Sequence, residues 1–102
     1  MIATGSTPIV SAAWVGASPR VNVNDDVFDW DDLPRSVAVI GTGVIGLELG
    51  QALHRLGVKV RIYGRHGQIA GISDPEVLTT AQKFFSEELD FSLHTEIEAL
   101  VP

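Results

Sequence analysis

The sequence of 102 residues contains no cysteine, which removes disulfide frameworks, thiolate zinc sites and thiol nucleophiles from this stretch of protein. Basic residues are few: 7 Lys and Arg stand against 13 Asp and Glu, a formal net charge of −6. A field of that sign repels polyanions, so neither nucleic acid nor an anionic membrane is an expected partner. A local basic spot can still hold one small phosphate. No apolar run approaches the roughly 18 residues needed to cross a bilayer. MIATGSTPIV lacks the charged region and long apolar stretch of a secretion signal. A cytoplasmic location is the resulting expectation. His54 and Glu48 stand six apart and do not share a helical face, so no metal site is expected.

Hydrophobic residues make up 45% of the chain, too many for a disordered segment and enough for one small core. Met1 to Ala3 is a short strand candidate, closed by the Thr4-Gly5-Ser6 turn. Residues 11–34 show little periodicity and carry five aspartates between Asp25 and Asp32. Asn24 is placed to cap a short helix with Asp25 and Asp26 in its first turn, and Val27, Phe28 and Trp30 as its apolar contacts. The acidic cluster is a solvated capping turn rather than a metal site.

From Ser36 the pattern changes. Val37-Ala38-Val39-Ile40 is β-branched, continuous and followed by glycine, which predicts a strand buried on both faces. Val44 to Leu56 predicts a helix lined by Ile45, Leu49, Ala52, Leu53 and Leu56, with Gly57 as its cap. Val58, Val60 and Ile62 alternate with Lys59, Arg61 and Tyr63 as a second strand. Ser73-Asp74-Pro75-Glu76 is a helix start; that helix should run to about Leu89 and bury Val77, Ala81, Phe84 or Phe85, and Leu89. Phe91 to His94 is a third strand candidate, and Ile97 to Val101 a fourth. Strands alternating with helices predict an α/β fold, a Rossmann-like parallel sheet in β-α-β-α-β order with right-handed crossovers and an irregular N-terminal segment.

Between the first strand and its helix lies GTGVIG, residues 41–46. Gly41, Gly43 and Gly46 fit G-x-G-x-x-G in the strand-to-helix context that motif requires. Gly41 permits the turn, Gly43 lets a pyrophosphate reach the backbone, and Gly46 lets the helix pack close to the strand. The helix start, from Thr42 through Val44 and Ile45, then presents free N–H groups and a positive dipole end to the phosphate. The Lys-Ser/Thr of a phosphate-loop NTPase does not follow these glycines, and no G-x-S-x-G hydrolase turn surrounds Ser73.

A dinucleotide site also needs a reader for the adenosine ribose at the end of the second strand, usually an acid that accepts from the 2′-hydroxyl. RIYGRHG, residues 61–67, has none. Gly64 stands there, followed by Arg65 and His66. A 2′-phosphate repels a carboxylate and attracts a guanidinium, which forks two donors onto its oxygens. A protonated His66 adds another. The loop therefore favours NADP(H) over NAD(H).

VAVIGTGVIGLELGQALHRLGVKV resembles the nicotinamide-nucleotide segment of the pyridine nucleotide–disulfide oxidoreductases, in particular their dihydrolipoamide dehydrogenase branch. Glu48, two residues past the third glycine, is typical of that family. Ala3-Thr4-Gly5, with Ser6 and Pro8, resembles the strand by which the family's flavin domain hands over to its nucleotide domain. The resemblance implies a division at about residue 33, with residues 1–33 as exit strand and connector and 34–102 as an incomplete nicotinamide-nucleotide domain. It implies NAD(P)H as cofactor here and FAD in a longer parent, which exchanges a hydride with nicotinamide and passes electrons to a cysteine pair. It further implies that Gly41, Gly43 and Gly46 cradle the pyrophosphate, that Glu48 approaches the nicotinamide end and that Val44 lids the nicotinamide pocket. Arg65 and His66 match the basic pair of the NADPH-dependent glutathione reductase branch. That branch also carries a further arginine where Ala70 and Gly71 stand, and commonly Ala in place of Gly46, whereas the dihydrolipoamide dehydrogenase branch keeps the acid missing here.

With no cysteine pair and no flavin fingerprint, this segment alone is expected to bind and not to turn over, with no catalytic residue of its own. Its partners are then the dinucleotide, the remainder of a homodimeric parent and, through open sheet edges, other copies of itself. A stand-alone dinucleotide-sensing module is the alternative. The handover strand at residues 3–5 favours the enzyme.

Overall fold

Ser36–Ile40 form strand β1 in the computed structural model, which describes residues 1–101. Helix α1, Val44–Arg55, crosses to strand β2, Lys59–Tyr63. Helix α2, Pro75–Ser86, leads to a short third strand β3, Asp90–Ser92. The strands are parallel and lie in the order β1-β2-β3. Val37 pairs with Val60 and Val39 with Ile62; Arg61 pairs with Asp90 and Tyr63 with Ser92. This is the α/β parallel sheet that the alternation of patterns predicts. Helix α1 packs on β1 and β2, and right-handed crossovers stepping the same way along a sheet put their helices on one face.

That one-sided cover corrects the reading of β1. Val37 and Val39 are half-buried while Ser36, Ala38 and Ile40 are exposed. β2 alternates as its pattern demands, with Val60 and Ile62 buried beneath α1 and Lys59 and Arg61 outward. On the open face Arg61 Nε donates to Asp90 across the register at 2.7 Å. Both side chains are about half exposed, so the pair adds little to stability.

α1 buries only part of the stripe anticipated: Leu53 is buried as expected and Leu49 half-buried, while Leu47 and Gly50 are the other buried residues. Ile45 and Leu56 are exposed, at 56% and 64%. The helix is apolar on two sides, and small residues decide which side the sheet takes. A Cβ on Gly50 would lie 2.8 Å from Ile62 Cδ1 and 3.7 Å from Val60 Cγ1, so glycine lets the helix settle directly on β2. Leu53, Val58, Val60, Ile62 and Leu89 complete the buried centre with Ile69 from the following loop.

Asp74 caps α2, its Oδ1 accepting from the N–H groups of Glu76 and Val77 at 3.0 Å each, with Pro75 in the first turn. The helix ends at Ser86, short of Leu89, and Leu89 reaches the core from the turn that follows. Val77 is exposed, against expectation; of the two phenylalanines Phe85 is the half-buried one and Phe84 stays exposed, the rings edge-on to each other. Glu88 joins the two helices: Arg55 Nε donates to it at 2.7 Å and Gln51 Nε2 at 2.9 Å.

The residues from Met1 to Asp31 and those from Ile97 on form a separate unit. Met1 to Ala3 and Ile97 to Val101 pair with no strand among the described residues. A strand is held by its neighbour's hydrogen bonds, and an apolar sequence alone does not supply one. The acidic cluster does form a turn, a 3-10 helix over Asn24–Asp29. Its cap differs from the expected one. Asp26 accepts from the Val23 N–H at 2.7 Å, and Asn24 sits inside the turn. Phe28 is 78% exposed and anchors nothing, whereas Trp30 is half-buried and donates from Nε1 to Asn22. No helix of the described residues is long and apolar enough to cross a membrane.

Two outcomes follow from this packing. Gly50→Ala should lower stability in urea denaturation, because overpacking of about 1–3 kcal/mol exceeds the roughly 1 kcal/mol that Ala gains in a helix; adding Ile62→Val, which deletes Cδ1, should recover part of the loss. The Arg55 guanidinium, with Gln51, holds the Glu88 carboxyl below its usual range. A lowered folded-state value gives stability that is present above the ordinary carboxylate range and is lost as pH falls through it. Melting curves should therefore separate wild type from Glu88→Gln at pH 7 and converge in acid.

Candidate functional site

The C-terminal ends of β1, β2 and β3 converge on two loops. In the first, Gly41 turns the chain at φ +118°, a left-handed conformation that excludes most side chains. Its N–H donates to the Tyr63 carbonyl at 2.8 Å, closing the turn onto β2. Gly43 then begins α1 with extended backbone, and its carbonyl accepts the Leu47 N–H at 3.0 Å. Gly43 supplies no side-chain cap, so the first turn of α1 keeps its N–H donors for something else. A Cβ placed on Gly43 would meet no atom within 4 Å, so the approach to these donors is open. Gly46 has the opposite surroundings: an added Cβ would run into the Gly41 carbonyl oxygen and lie 3.4 Å from Val39 Cγ1.

The two helix starts are thus opposite in character. α2 carries its own anion, Asp74, on its first N–H groups. α1 carries none. An uncapped helix N-terminus with a Cβ-free approach is a ready anion site, suited to a pyrophosphate.

The second loop brings the ribose-reading candidates to the same end of the sheet. Gly64 is buried beneath Thr42; a Cβ on it would fall 2.7 Å from Thr42 Cγ2. Arg65 and His66 follow and are exposed. Gly41, Thr42, Gly43, Val44, Ile45, Gly46, Gly64, Arg65 and His66 are therefore gathered at one end of the sheet, the end at which open α/β sheets bind ligands. Val44 and Ile45 are 54% and 56% exposed there. Glu48 stands one turn further along α1 and borders, with Val44, Gln51, Ala70 and Phe85, a hollow of about 180 Å³. A hollow of about 400 Å³, with His54, Lys59, Glu88 and Asp90 on its walls, opens at the start of β2 and β3. That is the wrong end of the strands for the donors just described.

Sequence reasoning missed the residues that hold the second loop. Ala70 adopts φ +53°, and its N–H donates to the Thr42 carbonyl at 2.7 Å. Ile69 is fully buried, and Gln82 Nε2 of α2 donates to the Gly67 carbonyl. The His94 ring lies against Gly67. An alanine in left-handed conformation leaves no mark in a sequence, although the glycine at 67 is a hint.

The family profile described as pyridine nucleotide-disulphide oxidoreductase matches residues 36–102, well over half of the chain. The chain belongs to that family. A dihydrolipoyl dehydrogenase of Vibrio parahaemolyticus is 27% identical over 100 residues, which cover 98% of this chain and 21% of the relative. One from Chlamydia trachomatis is 31% identical, covering 95% and 22%. A soluble pyridine nucleotide transhydrogenase of Mycobacterium tuberculosis is 35% identical over 89 residues, covering 87% and 19%. The chain thus spans about a fifth of the length of these oxidoreductases. In structure it is similar to a ferredoxin reductase from Rhodopseudomonas palustris, with a TM-score of 0.59 and 20% identity over 67% of this chain and 17% of that one. At that identity the likeness speaks for the fold alone.

Within this pyridine nucleotide-disulphide oxidoreductase segment, the two neighbouring glycines should separate by substitution. Gly46→Ala should destabilise the fold by about 1–3 kcal/mol in denaturant melts, since backbone stands where its Cβ must go. Gly43→Ala, opening onto solvent, should stay within about 0.5 kcal/mol of wild type.

Proposed function

We propose that this segment binds a nicotinamide dinucleotide within an FAD-dependent disulfide oxidoreductase, most like a dihydrolipoamide dehydrogenase, and that it prefers NADP(H). The uncapped first turn of α1 carries the reading, because among the described residues no side chain caps it and a Cβ at Gly43 would meet open space. Its position at the carboxyl end of β1 supports the same assignment. The dihydrolipoyl dehydrogenase relatives support the choice of branch.

In this reading the N–H groups from Gly43 to Gly46 hold the pyrophosphate, and the helix dipole adds to the attraction. Arg65 and His66, exposed on the adjoining loop, hold a 2′-phosphate. Val44 and Glu48 face the nicotinamide half. When bound, the nicotinamide supplies or accepts the hydride exchanged with a flavin. The segment's own residues bind and orient; the flavin site, the cysteine pair and the subunit partner belong to the remainder of the parent enzyme. Separation of residues 1–33 from the nucleotide domain that follows is part of the same proposal.

Calorimetric titration with 2′-phospho-ADP-ribose and with ADP-ribose tests both halves of the reading. A charge-assisted hydrogen bond contributes about 1.5–3 kcal/mol, or roughly ten- to a hundredfold in affinity. The phosphorylated ligand should bind tighter by that factor, and Arg65→Ala should erase its advantage. Equal binding of the two ligands would remove the NADP(H) preference. Failure of Gly43→Ala to weaken either ligand would remove the phosphate turn itself.

A further inference from the structure

We infer that Thr42 is a positioning residue that sets the cofactor preference, by locking the loop of Arg65 and His66 to the phosphate-binding turn. The inference rests on the dinucleotide reading above. Thr42 lies between Gly41 and Gly43, and it is the residue of that turn that meets both stems of the second loop. Its methyl group covers Gly64 so closely that a Cβ there would stand 2.7 Å from Cγ2 and 3.1 Å from Oγ1. Its carbonyl accepts the N–H of Ala70 at 2.7 Å.

Ala70 reaches that carbonyl at φ +53°, a conformation that a residue with a side chain holds only where its surroundings over-determine it. The buried side chain of Ile69 and the hydrogen bond to Thr42 are those surroundings. On its far side the loop is fastened to the end of β3. Gly64 N–H donates to the Ser92 carbonyl at 2.9 Å, Thr95 N–H donates to the Gly64 carbonyl at 2.8 Å, and Gly67 N–H donates to the Leu93 carbonyl at 2.9 Å. Arg65 and His66 consequently stand exposed between two buried, anchored glycines.

A dinucleotide phosphate makes such an anchor useful. Its pyrophosphate and its 2′-phosphate are attached to one ribose, so the ligand presents two anions within the limited range of separations that the shared sugar allows. A protein that reads both must hold its two donor groups at a matching separation, because charge-assisted bonds are strong only near 2.7–2.9 Å. Displacement of the loop by a few tenths of an ångström relative to the turn loosens the 2′-phosphate contact first. Thr42 is the part that fixes this separation.

The test is a two-residue exchange read by the ratio of affinities for 2′-phospho-ADP-ribose and ADP-ribose. Gly64→Ala inserts a methyl group against Thr42. Thr42→Ala leaves a gap over Gly64, its Cβ at an ordinary 3.5 Å from the new methyl position. Each single variant should lower the ratio severalfold or more, and the double variant should return it toward wild type, a coupling that independent sites do not show. A merely structural role for Thr42 would change melting temperature and leave the ratio where it was. Should Gly64→Ala fail to fold, Thr42→Ala alone decides: an unchanged ratio overturns the inference. If wild type prefers the phosphorylated ligand and loses that preference in Arg65→Ala, yet keeps it in both single variants, the lock is wrong and the cofactor reading stands. If wild type shows no preference, the cofactor reading itself has failed.

Discussion

Everything at the candidate site depends on how closely α1 can approach the sheet. Two glycines set that distance. Gly46 stacks against the Gly41 carbonyl where the strand gives way to the helix, and Gly50 rests on Ile62 one turn later. Because the helix starts so near the strand's end, its first turn opens directly above β1, and the turn from Gly41 to Gly43 is left as the sole spacer. A bulkier residue at either position would tilt the helix outward and move its N–H donors with it. Packing and the placement of the α1 donors therefore share one constraint, met by the absence of side chains at Gly46 and Gly50.

The two helix starts differ in how their terminal donors are met. α2 begins with Asp74 and Pro75, which satisfy its terminal donors internally and make it a stable but inert end. α1 begins with Gly43, which satisfies nothing. The first arrangement favours folding and the second leaves donors available, at a stability cost that the glycine-permitted contact with β2 offsets. The acid that would usually read a ribose hydroxyl is absent from the end of β2. In its place a glycine is pinned beneath Thr42, and two basic side chains follow.

Much of this is legible in the sequence alone. The strand–turn–helix around GTGVIG, the alternation of β2 and the capped start of α2 all follow from local pattern. What was not legible depends on partners. α1 is apolar on two sides; Leu53 is legible as buried, but the fit of Gly50 onto Ile62 brings in Leu47 and leaves Ile45 and Leu56 exposed. β1 reads as a strand buried on both faces, yet only its alternate residues Val37 and Val39 are sheltered. Met1–Ala3 and Ile97–Val101 have strand composition but pair with no strand among the described residues. The conformation of Ala70 and its bond to Thr42 arise from tertiary contact and have no counterpart in periodicity.

The central claim is that the uncapped start of α1 is the anion-binding element of this family segment. Amide chemical-shift mapping during titration with ADP-ribose tests it directly, residue by residue. The account predicts the largest shifts at Gly43 to Gly46, smaller ones at Gly64 to His66, and none at Glu76 and Val77, whose N–H groups Asp74 already holds. Shifts centred instead on His54, Lys59 and Asp90, at the other end of the strands, would contradict it.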